Sequence, residues 1–445
     1  MNPSSMTLRE AADSIRTGDI GCEELMRACL DRIEAKDGEL NAVIAVEAER
    51  ALERAVACDR TDQGERGALH GIPFGYKDMF HRAGAVSSYG ATEAHWKTPD
   101  ETSVLLGAVE TAGGIGCARL NMAEFAMGPT GHNPHFGRCR NPHAPARISG
   151  GSSSGSGAAV AAGYVFGALG SDTGGSVRLP ASMCGTVGLK PTQYRLSSAG
   201  MMPLSPSLDC PGIFAKTCAD AARIFDALTG EASEAGLDDP LHARIGVPGG
   251  YYTDDLDEDV AVAFESSLGV FRAMGLSLKE ADVDGQGSLA HYADVIWKTE
   301  AAALHRGSLP PGRGQLGRQV RARLIQGIGI RGTDYVDAAR LRTLSLRRFL
   351  AGPLAAVDAL VMPTVPIMTP LADTVSAEGG EKMRRTLELI SRNTRPISFL
   401  GLPALSVPMG MDRNGMPMGL QIVGRPCSEA LLLHIGDLFA RTATW

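Results

Sequence analysis

No stretch of the sequence approaches 18 consecutive apolar residues, so no membrane-spanning helix is expected. The first residues, MNPSSMTLREAADSIRTG, lack the apolar run of a secretory signal peptide. The 9 cysteines, at positions 22, 29, 58, 117, 139, 184, 210, 218 and 427, include no C-x-x-C pair. An odd number of scattered thiols in a long chain argues against a disulfide framework. Reduced thiols in a soluble cytoplasmic protein are expected. An excess of basic charge is also missing: the net charge is −7, and the sequence pI is about 5.8. That balance argues against a dedicated nucleic-acid or acidic-membrane binder. No Gly-X-Y period accompanies the 54 glycines, so a collagen is excluded, and only 5% of residues are aromatic. There is no internal repeat or low-complexity linker, and a single domain over residues 1–445 is the simplest account.

What is present is a chain of 445 residues that is 44% hydrophobic, enough for a large buried core and too apolar for disorder. The glycine excess marks tight turns and close approaches of backbone to backbone or ligand. Nine arginines crowd residues 313–348 (Arg313, Arg318, Arg321, Arg323, Arg331, Arg340, Arg342, Arg347 and Arg348) against only Asp334 and Asp337. Solvated helical faces are the expected setting, with an anionic ligand or partner as the alternative.

The first 60 residues read as helices. Thr7-Leu-Arg-Glu10 has the form of a capping box, with Gly18 as a stop. Residues 22–36 place Leu25, Cys29 and Ile33 on one face, 41–46 form a short strand, and 47–59 are an amphipathic helix. From about 68 to 230, short apolar runs alternate with glycine turns and helical stretches, as in Gly71-Ile-Pro-Phe-Gly-Tyr76 and Ile115-Gly-Cys-Ala118. That rhythm predicts the α/β class. The acidic run Asp254–Asp259 suits a helix start, ahead of Val260, Phe264, Leu268 and Phe271 on one face. Residues 286–350 read as mainly helical; 356–368 and 397–424 read as buried strands and turns.

The chemistry concentrates between Ile148 and Gln193. Two serine clusters, Gly150-Gly-Ser152-Ser-Ser-Gly155 and Thr173-Gly-Gly-Ser176, flank a run of small apolar residues from Ala158 to Gly170. That run suits a helix packed closely on a sheet. Three readings compete. A phosphate cradle lacks both G-x-x-x-x-G-K-[ST] and G-x-G-x-x-G. A nucleophile elbow is formally matched by Gly151-Ser-Ser153-Ser-Gly155, but it needs a histidine, and His242, His291, His305 and His434 lie in no telling context. The third is a serine activated by lysine, which serves as a base only where desolvation lowers its pKa. Lys77, at the end of an apolar strand-like run, fits that need. No lysine has serine three positions before it, so the pair would form across the fold.

Gly71-Ile-Pro-Phe-Gly-Tyr-Lys77-Asp78, Ser149-Gly-Gly-Ser152-Ser153 and Ser171-Asp-Thr-Gly-Gly-Ser176-Val-Arg178-Leu-Pro180 together resemble the amidase signature family. Gly185–Pro191, Gly401–Pro408 and Gly419–Gly424 extend the likeness, which covers the whole chain and is strongest over 65–230. The resemblance implies a central mixed β-sheet covered by helices on both faces. It implies amide hydrolysis through a serine acyl-enzyme without cofactor or metal. Ser176 would be the nucleophile, Lys77 the base and Ser152 the bridge, with a cis peptide bond at Gly151–Ser152. The backbone N–H groups of Thr173, Gly174, Gly175 and Ser176 would form the oxyanion hole. Ser153, Asp172 and Arg178 would support it.

Two departures from the family pattern stand out. Ser154 replaces a common glycine, and its hydroxyl is positioned to compete near the bridge. The run His132–His143 is histidine-rich, but with no second ligand pair a zinc site is not expected. Met127 and Gly128 are expected to line the substrate pocket; Phe125 and Ile328 or Ile330 are further candidates, with core packing as the alternative. The short C-terminal end favours a stand-alone amidase acting on a small-molecule amide, without nucleic acid or membrane, and leaves a homodimer open. The alternative within the family is the glutaminase subunit of a glutamyl-tRNA amidotransferase.

Overall fold

Short runs of apolar residues between glycine turns fold into eleven strands in the computed structural model, which describes residues 3–238, 241–310, 315–375 and 380–444. These are β1 (Val43–Val46), β2 (Pro73–Lys77), β3 (Ile115–Leu120), β4 (Gly167–Asp172), β5 (Val187–Lys190) and β6 (Cys210–Ala215). β7 (Arg244–Pro248), β8 (Ser277–Ala281), β9 (Ala359–Pro363), β10 (Ala404–Met411) and β11 (Pro417–Gly424) follow. They join in one mixed sheet in the order β1-β3-β2-β4-β6-β5-β10-β11-β9-β7-β8. β2 runs parallel to β3 and β4, and β7 to β8 and β9; the other neighbours are antiparallel. β2, β4 and β6 are buried at every residue, which requires cover on both faces, and helices flank the sheet.

Parallel register fixes the site. Phe74, Gly75 and Tyr76 of β2 pair with Gly167, Ala168 and Leu169 of β4. Lys77 and the end of β4 therefore emerge together at the carboxyl edge of two parallel strands, where α/β sheets place their ligands.

The periodic segments behave as their patterns predict. The helix Cys22–Leu40 buries Leu25, Cys29 and Ile33, and Ala48–Asp59 forms the next one. Glu10 N–H donates to Thr7 Oγ at 3.2 Å and Thr7 N–H to Glu10 Oε2 at 2.7 Å, closing the capping box. The helix Glu258–Ala273 buries Val260, Phe264, Leu268 and Phe271 behind Glu258 and Asp259 in its first turn. Helices Gln286–His305, Arg318–Ile328 and Gly332–Ala351 fill most of the mainly helical segment.

Two expectations need correction. The small-residue run 158–170 is not one helix: the helix Ser154–Ala161 ends, the chain turns at Gly163 (φ 69°), and β4 begins at Gly167. Within 397–424, a helix Arg395–Leu400 precedes β10, started with proline in its first turn and closed by left-handed Gly401. The arginine stretch also divides. Arg321, Arg331, Arg340, Arg347 and Arg348 are exposed, whereas Arg342 turns inward to donate to Phe399 O at 2.6 Å. Arg313 lies outside the described residues.

The helix Ser154–Ala161 lies against the segment after β3 because it has almost no side chains. A Cβ on Gly155 would sit 2.5 Å from both Ala42 O and Asn121 N. Gly155→Ala should therefore destabilise the protein by about 1–3 kcal/mol in urea denaturation, the usual range for overpacking. An unchanged midpoint would mean that the helix can slide away and that its placement does not depend on this contact.

Candidate active site

β2 ends by carrying an ammonium-bearing residue into the interior. Lys77 is fully buried, and its Nζ donates to Ser152 Oγ and to Ser171 Oγ, each at 2.8 Å. Both acceptors are uncharged, and no described carboxylate forms an ion pair with this amine. Burial disfavours the ammonium, and the more distant Asp209 and Asp172 only partly restore it, so the Lys77 pKa is held down to about 7.

Ser152 reaches Lys77 from a tight turn in which Gly150 (φ 84°) and Gly151 (φ 60°) are both left-handed. Every described peptide bond is trans, including Gly151–Ser152, in place of the cis bond that the resemblance implies; the two left-handed glycines carry the turn. Ser152 N–H donates to Ser176 Oγ at 3.0 Å. One residue therefore touches Ser176 through its amide and Lys77 through its hydroxyl.

The neighbouring serines have other duties. Ser153 Oγ donates to Ser171 O and accepts from Ser171 N–H, both at 3.1 Å, which staples the turn to β4. A fully buried, doubly engaged hydroxyl is no exposed nucleophile, so the elbow reading loses its serine. Ser154 Oγ lies towards Gly131, has no hydrogen-bond partner among the described residues, and does not reach the bridge.

Asp172, the last residue of β4, shapes the loop that presents Ser176. Arg178 donates to it through Nε at 3.0 Å and Nη2 at 2.8 Å, with both side chains fully buried. Burial raises the Asp172 pKa, but the Arg178 guanidinium and backbone N–H donors outweigh it, leaving the carboxyl at about 2. Arg178 is itself held by Gln421 Oε1 of β11 at 2.6 Å and Ser398 Oγ at 2.7 Å. Asp172 also accepts from Gly175 N–H at 2.8 Å and Val177 N–H at 3.2 Å. The Gly175 N–H, one of the expected oxyanion donors, is thus hydrogen-bonded to a carboxylate in this structure. Thr173 Oγ1 donates to buried Asp209 at 2.6 Å, and Thr394 Oγ1 donates to Gly174 O at 2.7 Å, pinning the loop from two more sides.

Ser176 opens onto a cavity of about 110 Å³ that is also lined by Met127, Gly128, Thr173, Gly174, Trp297, Arg323 and Arg395. Met127 and Gly128, expected at the substrate pocket, line this cavity. Phe125 is instead buried, with its ring 4.7 Å from that of His305. Ile328 is exposed, and Ile330 packs against a hydrophobic cluster; neither is among the residues lining the cavity. Segment 132–143 does not converge on a metal: His135 pairs with Glu124 at 2.9 Å, and His143 Nε2 meets Cys184 O at 3.1 Å. No group of three or more His, Cys, Asp or Glu side chains suited to a metal occurs among the described residues.

Asp209, Thr394 and Arg395 were not singled out from the sequence, Ser171 was named only as part of a motif, and Arg323 only as one of the nine clustered arginines. Ser171 lies inside the nucleophile motif, five residues before Ser176, and was legible there as a polar residue on a buried strand. Arg395 and Thr394 have no local signal, because they reach the loop from more than 200 residues away.

The comparisons agree with this geometry. The family model described as Amidase matches residues 24–433. A glutamyl-tRNA(Gln) amidotransferase subunit from Chromohalobacter salexigens is 33% identical over 480 aligned positions, covering 99% of this chain and 97% of that protein. Among solved structures, one reported as "Crystal structure of amidase" superposes with a TM-score of 0.90 at 32% identity, covering 99% of this chain and 100% of that one. Another, from "An unexpected vestigial protein complex reveals the evolutionary origins of an s-triazine catabolic enzyme", gives 0.91 at 32% identity, covering 98% and 99%. A family match over nearly the whole length, with the lysine and both serines brought together at one strand edge, shows that the chain belongs to the amidase signature family.

Proposed function

We propose that the protein hydrolyses a carboxylic amide to an acid and ammonia or an amine through an acyl-enzyme on Ser176. The observation that carries this reading is a buried lysine amine hydrogen-bonded only to hydroxyls, one of them on the residue touching Ser176. Neutral Lys77 accepts the Ser176 proton through the Ser152 hydroxyl as Ser176 Oγ bonds to the carbonyl carbon. Since Ser152 meets Ser176 Oγ by its N–H, the step requires its hydroxyl to turn to that oxygen while keeping Lys77. The N–H groups of Ser176, Gly174 and Thr173 face the developing oxyanion, without Gly175. The proton returns through Ser152 to the nitrogen as the C–N bond breaks, and water then cleaves the ester. Ser153, Asp172 and Arg178 touch no substrate in this scheme; they hold the turn and the loop. Met127 and Gly128 border the acyl side. One sheet carrying all the described strands supports a single domain over residues 1–445.

A second reading is the glutaminase subunit of an amidotransferase that serves glutamyl-tRNA. The names of the curated relatives support it, and on relatedness alone it stands ahead of a stand-alone linear amidase. Chain length does not oppose it, since those relatives are spanned over 97% and 98% of their own length. A partner protein, and glutamine as substrate, belong to this reading. Co-purification with other subunits and ammonia release from glutamine distinguish it.

Two outcomes follow for the chemistry. Ser176→Ala should abolish turnover and fluorophosphonate labelling while the circular dichroism spectrum is unchanged; labelling at Ser153 instead would sink the assignment. The base must be uncharged, so kcat/KM should climb about tenfold per pH unit below about 7 and level off above it. Lys77→Ala should lose most activity together with that limb, and an unchanged limb in a still-active variant would remove Lys77 from the role.

A further inference from the structure

The cavity beside Ser176 has an unbalanced charge. Its lining contains Arg323 and Arg395 but no aspartate or glutamate. Arg395 lies against the nucleophile loop, since a Cβ on Gly174 would be 3.7 Å from Arg395 Cγ. Arg323 lies on the opposite wall: its Nη1 donates to Met127 O at 2.8 Å and would be 3.9 Å from a Cβ on Gly128. The nearest acid is Asp294, in the outer groove that shares Trp297, Arg323, Leu387 and Arg395 with the cavity. That one carboxylate serves Trp297 Nε1 at 2.8 Å, Lys298 Nζ at 3.4 Å and Arg395 Nη1 at 3.6 Å. Two cations, Lys298 and Arg395, therefore share Asp294; the other carboxylates of that groove, Glu381 and Glu388, do not line the cavity itself. Burial and the neighbouring Arg395 push the Arg323 pKa down to about 10, which reflects the missing counter-charge.

We propose that this pocket takes an amide whose acyl half bears a carboxylate and no ammonium group, with Arg395 and Arg323 receiving the carboxylate. A guanidinium pairs with a carboxylate through two parallel N–H donors, and such pairing is strongest where water is excluded. A substrate ammonium would meet two like charges there, with only hydroxyls such as Thr173 and Ser391 and backbone carbonyls as acceptors. Glutamine carries both groups, whereas the mono-amide of glutaric acid is the same molecule without the ammonium. The pocket thus separates two compounds that the catalytic serine itself would treat alike.

This inference rests on the amide-hydrolase reading, and the two can fail separately. Calorimetric titration of full-length Ser176→Ala with glutaric acid mono-amide and with L-glutamine is the test. The mono-amide should bind at least about tenfold more tightly. Adding Arg395→Gln should weaken the mono-amide by about tenfold or more while leaving the neutral amide butyramide unchanged. Glutamine binding as tightly as the mono-amide, or tighter, would overturn the proposal. So would binding of neither, with wild-type Ser176 still labelled by a fluorophosphonate. Absence of that label on folded wild-type protein counts against the hydrolase reading, whatever the two ligands do.

Discussion

Keeping one amine uncharged is the constraint that organises this molecule. An ammonium at Lys77 would be inert as a base, and what keeps it neutral is the removal of water from the end of β2. That demands strands buried on both faces and a covering helix of small residues close enough to exclude solvent. It also demands partners that satisfy the amine without charging it, which Ser152 and Ser171 supply. Two buried carboxylates nearby threaten the arrangement, and each is managed differently. Asp172 is held ionised, but Arg178 offsets its field. Asp209, whose pKa burial raises to about 6, has its carboxylate satisfied by Thr173 Oγ1 and by the Leu204 and Ser205 N–H groups and makes no ion pair with the lysine among the described residues.

The Asp172–Arg178 pair serves a second end. A fully buried ion pair contributes little net stability, but removing one partner strands a charge and costs about 3–5 kcal/mol. Here the pair spans β4, the Ser176 loop, the helix Arg395–Leu400 and β11, so it registers the loop against distant parts of the chain. The geometry at Ser176 therefore depends on residues that touch no substrate.

How much of this was legible depends on how local the cause is. Lys77, Ser152 and Ser176 stand in motifs dense enough to be read directly, and the α/β class follows from alternating periodicities. The hydrogen bond from Gly175 N–H to Asp172 was hidden, because it depends on where the Asp172 carboxylate turns, and a glycine pair reads the same either way. The helix Arg395–Leu400 was missed because a six-residue helix shows too few turns for a periodic pattern. The arginine stretch was read by composition as a solvated face, with an anionic ligand or partner as the alternative; the first holds for Arg340 and Arg347 but not for Arg323, which lines the cavity, or Arg342. Composition counts charges; only the fold decides which of them face a cavity.

That distinction bears on what relatedness can say about the substrate. Identity to the glutamyl-tRNA(Gln) amidotransferase relative is about one third over the whole chain, which shows the family but not what meets the acyl group. The cavity is walled in part by residues 126–129 and the Ser176 loop, and also by Ala293, Trp297, Arg323, Leu387 and Arg395 from later helices. A few wall residues therefore set selectivity without disturbing the catalytic edge, and one fold serves many amides. In this chain the walls supply two guanidinium groups and no carboxylate. Any molecule bound beside Ser176 must satisfy that charge.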